Sequence, residues 1–128
     1  MAYLLPQEVE VWYIIPSIRK ELSKVLTKKY GLTFEKAGGS LGVSKAAVSQ
    51  YLSKKRAKET KFCKATLKEI SVSAKVISDD LSKGFHEIFR LLKISRINGD
   101  TCGICKKHNK EALMVCNHEC HHDAKKGL

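Results

Sequence analysis

Two groups of residues in this 128-residue chain have the types and spacing to do chemistry. The first is Cys102-Gly-Ile-Cys105, followed by ten residues and then Cys116-Asn-His-Glu-Cys120. Two close thiol pairs joined by a short loop converge on one tetrahedral centre. Thiolates suit zinc, which is borderline soft and brings no redox chemistry. Four cysteines equally suit an iron–sulfur cluster, and the spacing does not separate the two; redox thiols without a metal are the third reading. His118, His121 and His122 stand beside the second pair as substitute ligands. A stretch this short has almost no apolar core, so a metal would supply its folding energy. The fifth cysteine, Cys63, is isolated near Phe62 and reads as a small packing residue.

The second group is Ser44-Lys-Ala-Ala-Val-Ser-Gln50, preceded by Thr33 through Val43. Thr33 and Ser44 stand where side-chain oxygens cap helices. Gly38 sits where two helices must approach closely, and Gly42 at the turn between them, where positive φ costs glycine little. Leu41, Val43, Val48 and Leu52 supply the apolar contact. The wheel then places Lys45, Ala46, Ala47, Ser49 and Gln50 outward. Each has a role on DNA. Thr33 and Ser44 donate to phosphate, the alanines let a helix sink into the groove, Lys45 reaches guanine or phosphate, and Gln50 pairs with adenine. Lys54, Lys55 and Arg56 follow directly. From Lys45 to Lys64 there are seven basic residues against one acid, Glu59. Such a concentration beside a recognition helix is what phosphate contact requires.

Composition agrees with this. Lys and Arg number 24 against 13 Asp and Glu, a formal charge of +11, which calls for a polyanionic partner. Hydrophobic residues at 43% are enough for a core. No apolar run approaches the ~18 residues of a membrane span. The longest, Val11 to Ile15, lacks the flanks of an export signal. Clustered cysteines in a basic chain without such a signal point to a reducing, cytoplasmic setting. No Gly-rich phosphate loop, nucleophile triad or paired carboxylate site is present, so no enzyme activity is expected.

The elements that position these groups read as helices. Ile18, Leu22, Val25 and Leu26 recur at helical steps after Pro16, and Gly31 looks like the C-terminal cap. Before Pro16, Val9, Val11 and Tyr13 alternate with Glu8, Glu10 and Trp12. Strand and helix both fit there, and helix is preferred. Trp12, Tyr13 and Phe34 read as core or dimer contacts. Leu67, Ile70, Ala74, Ile77 and Leu81 form a further apolar stripe, continued by Phe85, Ile88, Phe89 and Leu92 after an interruption at Gly84, which reads as two helices or as one helix broken at Gly84. Asp79-Asp80 reads as a solvated face, and Asn98-Gly99 as a turn and boundary.

Leu5-Pro-Gln-Glu-Val-Glu-Val, Ile15-Pro-Ser-Ile-Arg19, Lys28-Lys-Tyr-Gly-Leu-Thr33 and the run Gly42 to Arg56 resemble archaeal transcriptional regulators with a lambda-repressor-like (Cro/cI, XRE-type) helix-turn-helix domain. The resemblance covers roughly residues 4–95, and its specific part is Ala47-Val-Ser-Gln-Tyr-Leu52. It implies an all-α fold, a homodimer and a palindromic operator. Gly38-Gly39 stands where that group often has Ala and a longer residue, and the four-cysteine ending is longer than the group's Cys-x-x-Cys. The expectation is therefore a helical domain over 1–96, with a helix-turn-helix at about 33–56, and a cysteine-rich metal-binding tail over 97–128. The expected function is sequence-specific binding of double-stranded DNA by a homodimeric regulator with a four-cysteine metal centre, without membrane or small-molecule substrate. A metal-binding RNA- or ribosome-associated protein, and a helix-turn-helix adaptor or antitoxin-like module, are the alternatives.

Overall fold

The computed structural model describes residues 5–53 and 62–100, and all regular structure among them is helical. The chain opens with α1 (Pro6–Val9), a wider π turn (Glu10–Ile14) and α2 (Ile15–Lys28), run together as one rod. The Ile15 N–H reaches back five residues to the Glu10 carbonyl, the bond that defines a π turn. Pro16 explains its position. Proline has no N–H to offer the carbonyl of Trp12, and its ring crowds that oxygen. The preference for helix before Pro16 thus matches the structure, with a widened turn that the alternating pattern did not announce. At the other end Gly31 takes φ 69°. The Leu32 N–H then closes on the Leu26 carbonyl at 3.0 Å, as in a glycine-terminated helix.

Two short helices follow, α3 (Phe34–Leu41) and α4 (Lys45–Leu52), and then α5 (Lys64–Asp79), a 3₁₀ turn (Leu81–Lys83) and α6 (Gly84–Ile97). The break between α5 and α6 refines the reading of Asp79-Asp80 as a solvated face on a helix: both are exposed, but only Asp79 is helical. Asp80, read as part of a solvated face, leaves the helix with extended backbone, φ −148° and ψ 101°. Its Oδ1 accepts from the Ser82 Oγ at 2.6 Å and the Ser82 N–H at 3.0 Å. Those two bonds, the hydroxyl's first, hold the Asp80 carboxyl below the ordinary aspartate value. The reading of two helices matches the structure, and Gly84 is the first residue of the second, α6. A Cβ there would lie 1.7 Å from the Ser40 carbonyl oxygen, so glycine lets α6 start across the backbone of α3.

The core is one cluster. It takes Val9, Ile14, Ile18, Leu22 and Leu26 from the first rod, Ala37 and Leu41 from α3, Ile70, Ala74 and Ile77 from α5, and Ile88 and Leu91 from α6. Each fully buried aliphatic side chain contributes ~2 kcal/mol. Part of the apolar stripe stays outside this core. Leu67, Leu81, Phe85 and Phe89 are exposed, as is Trp12. On α6 the inward side is Ile88 and Leu91.

Three polar clusters tie distant segments together. Glu10 in the π turn is buried and accepts from Arg96 near the end of α6, at 2.9 Å from Nη2 and 3.0 Å from Nε. Arg90 of α6 donates to Glu87, Glu69 and Ser73 at 2.6–3.0 Å, with Ser73 also donating to Glu87 at 2.7 Å. Asp100 accepts from the Cys63 N–H at 3.0 Å and from the buried Thr66 hydroxyl, which in turn accepts from Asn98 at 3.0 Å. The turn at Asn98-Gly99 is real, with Gly99 at φ 83°, yet Asp100 beyond it is pinned to the start of α5.

Candidate nucleic-acid interface

α3 and α4 are set by local signals. The Thr33 Oγ1 accepts from the Lys36 N–H at 3.1 Å and caps α3. The Ser44 Oγ accepts from the Ala47 N–H at 3.1 Å and caps α4. Each hydroxyl accepts one bond here and keeps its own proton to donate outward. Both residues are exposed. Between the helices Gly42 adopts the left-handed conformation, φ 75° and ψ 28°. Gly42 and Val43 both donate their N–H to the Gly38 carbonyl, the latter at 2.9 Å. A Cβ on Gly38 would lie 2.7 Å from the Val43 carbonyl oxygen, so the tight turn requires glycine at that slot, as the sequence indicated.

The two faces of α4 are distinct. Ala47, Val48 and Tyr51 are buried, while Lys45, Ala46 and Ser49 are exposed and Gln50 is half-buried. This corrects one expected contact. Ala47 is only 6% exposed and packs inward, so its methyl is not offered to a groove. Positions 47, 48 and 51 share one side of a 3.6-residue helix, which puts 45, 46, 49 and 50 on the other. Thr33, Ser44, Lys45, Ala46, Ser49 and Gln50 remain available on the outer side. Lys54, Lys55 and Arg56 lie outside the described residues.

Sequence reasoning missed a residue that steadies this pair. Arg19 on α2 donates its Nε to the Leu41 carbonyl at 3.2 Å, at the open C-terminal end of α3. The partners are 22 residues apart, and no short-range pattern marks them. Tyr51 was likewise unassigned and proves to be the large side chain that α4 buries.

Cys102, Cys105, Cys116 and Cys120 also lie outside the described residues. Among the described residues no group of three or more His, Cys, Asp or Glu could hold a metal ion. Cys63 is exposed at the N-cap of α5, its Sγ 3.3 Å from the Thr66 hydroxyl oxygen. Its N–H donates to Asp100 at 3.0 Å, and its thiol reaches the other oxygen of the same carboxylate at 4.0 Å. No helix among the described residues is long and apolar enough to cross a membrane. Comparison with protein-family models, with curated proteins and with solved structures finds no match.

Proposed function

We propose that the chain is a homodimeric, sequence-specific DNA-binding transcriptional regulator, with α3 and α4 as a helix-turn-helix and α4 as the helix that enters the major groove. The observation that carries this reading is the outer face of α4. It combines a long cation at Lys45, a small residue at Ala46, a hydroxyl at Ser49 and an amide at Gln50 on a capped helix held from behind by Val48 and Tyr51. A short face of this kind fits a groove, and the amide and ammonium read base edges. The free protons of Thr33 and Ser44 suit phosphate on either side. Lys54, Lys55 and Arg56 follow in sequence and add the charge that dominates affinity.

In this reading Cys102, Cys105, Cys116 and Cys120 hold one centre, zinc or an iron–sulfur cluster. Four thiolates fit either group. Zinc would fold the tail, whereas a cluster would also make it responsive to oxidants.

The test is selection of a duplex from a random pool, followed by titration of the selected and scrambled duplexes. Gln50→Ala and Lys45→Ala are each expected to cost ~1–3 kcal/mol on the selected duplex and much less on the scrambled one. Equal loss on both refutes base reading. Tighter binding to structured RNA than to duplex DNA at the same salt favours the RNA-associated alternative.

A further inference from the structure

We infer that the groove between α2, α3 and α6 is a binding site for a small amphipathic monocarboxylate, its apolar body lying on the aromatic residues of α6 and its carboxylate on Arg19. This stands apart from the DNA reading: the groove borrows the back of α3 and the turn after it, but no residue assigned to DNA contact lines it. The groove is a cavity of about 640 Å³, within the range of ligand sites. Ile15 forms one wall, Gly39 to Gly42 another, and Ile88, Phe89 and Leu92 the third.

Four observations select the occupant. Phe85 and Phe89 are 74% and 56% exposed and stand edge to face at 5.7 Å, a costly display of aromatic surface unless something covers it. Gly39 is open: a Cβ built there meets nothing within 4 Å. Arg19 is half-buried in the lining, with its Nε committed to the Leu41 carbonyl and its two terminal nitrogens without a protein partner among the described residues. Finally, among the described residues no acidic side chain lines the groove and Arg19 is its only cation. One guanidinium with two parallel free donors in an apolar setting matches one planar monoanion. A phosphate dianion would call for more positive charge than the lining offers. A second copy of the chain fits less well. A symmetric contact across the groove would bring the two Arg19 side chains together without an acid to neutralise either.

The experiment uses the full chain and fluorescence of 1-anilinonaphthalene-8-sulfonate as reporter, displaced by decanoate or by decanol. Decanoate is expected to displace the dye at least about tenfold more effectively than decanol, the difference being the charge-assisted pair with Arg19. Arg19→Gln should abolish that preference while leaving decanol unchanged. Gly39→Leu should weaken both ligands at least about tenfold by filling the groove, and it keeps the fold because it replaces a helical glycine with a stronger helix former. Helical circular dichroism of each variant checks that. Equal displacement by decanoate and decanol, absence of displacement, or unchanged binding in Gly39→Leu overturns the proposal. So does a wild-type dimer that Phe85→Glu converts to monomer, with decanoate binding only after the conversion. Loss of DNA binding in any of these variants bears on the regulator reading and not on this one.

Discussion

Replacing Gly84 by alanine is expected to damage the fold although alanine is the better helix former. Helix propensity favours the substitution by at most ~1 kcal/mol, and less at the first residue of a helix. Against it stands the Ser40 backbone. The new Cβ would lie 1.7 Å from the Ser40 carbonyl oxygen and 2.6 Å from its carbonyl carbon. Neither atom is the end of a flexible side chain, so α6 has to back off by roughly 1.5–2 Å to reach an ordinary contact. That withdrawal loosens Ile88 and Leu91, which α6 contributes to the core. Overpacking of this kind costs ~1–3 kcal/mol, so a net loss of about 2 kcal/mol is expected. Urea unfolding followed by circular dichroism measures it as a lower midpoint at unchanged slope. Two neighbouring glycines serve as internal controls. Gly38→Ala places its Cβ 2.7 Å from the Val43 carbonyl oxygen and should also destabilise, by ~1–2 kcal/mol. Gly39→Ala meets nothing within 4 Å and should stabilise by up to ~1 kcal/mol. If Gly84→Ala matches wild type, or if Gly39→Ala is the most damaging of the three, the packing argument fails.

Arg96→Ala leaves the Glu10 carboxylate, only 11% exposed as a side chain, without its cation. A loss of ~1–3 kcal/mol is expected, below the fully buried case because Arg96 is 38% exposed. The paired change Glu10→Gln with Arg96→Met should recover part of it, and a double-mutant cycle without coupling would contradict the assignment. The Ser23 hydroxyl is buried without a partner among the described residues. Ser23→Ala should therefore raise stability by ~1 kcal/mol, and a loss of that size would reveal a bond to it. The folded-state pKa of Asp80 is lowered, foremost by the Ser82 hydroxyl. Its contribution is present above the unfolded value of about 3.9 and is lost as pH falls through the folded value. A carboxyl titration by nuclear magnetic resonance should give an Asp80 midpoint below about 3.9. Asp80→Asn should flatten that part of the acid slope, and a midpoint at or above the ordinary value counts against the Ser82 bonds.

What was legible in the sequence was local. Thr33, Gly38, Gly42 and Ser44 each announce themselves through a short-range rule, a hydroxyl three residues from the N–H it caps or a glycine at a turn. Gly31 did the same at the end of α2. What was illegible depends on which side of a helix meets the rest of the chain. α4 has eight residues and two adjacent alanines, so the pattern alone did not decide that Ala46 faces out and Ala47 in. α6 carries apolar residues on more than one side, and periodicity cannot tell that Leu91 is buried while Phe85 is exposed. The pairs Glu10–Arg96 and Arg19–Leu41 span 86 and 22 residues and follow from tertiary packing alone. Gly84 was noticed, but its reason lies in the Ser40 backbone of another helix.

The π turn ahead of Pro16 has one more consequence. Glu10, Ile14, Ile18, Leu22 and Leu26 are all buried, at a constant spacing of four. In a straight α-helix every such step overshoots a full turn by about 40°, so the four steps fan these five residues across about 160°, nearly half the circumference. A turn with more residues per revolution undershoots instead and takes back part of that drift. The widened turn therefore acts as a phase correction. It keeps the start of the rod in register with its end, and brings Glu10 round to meet Arg96. A uniform helical wheel drawn through Pro6–Lys28 accumulates the very error that the chain removes.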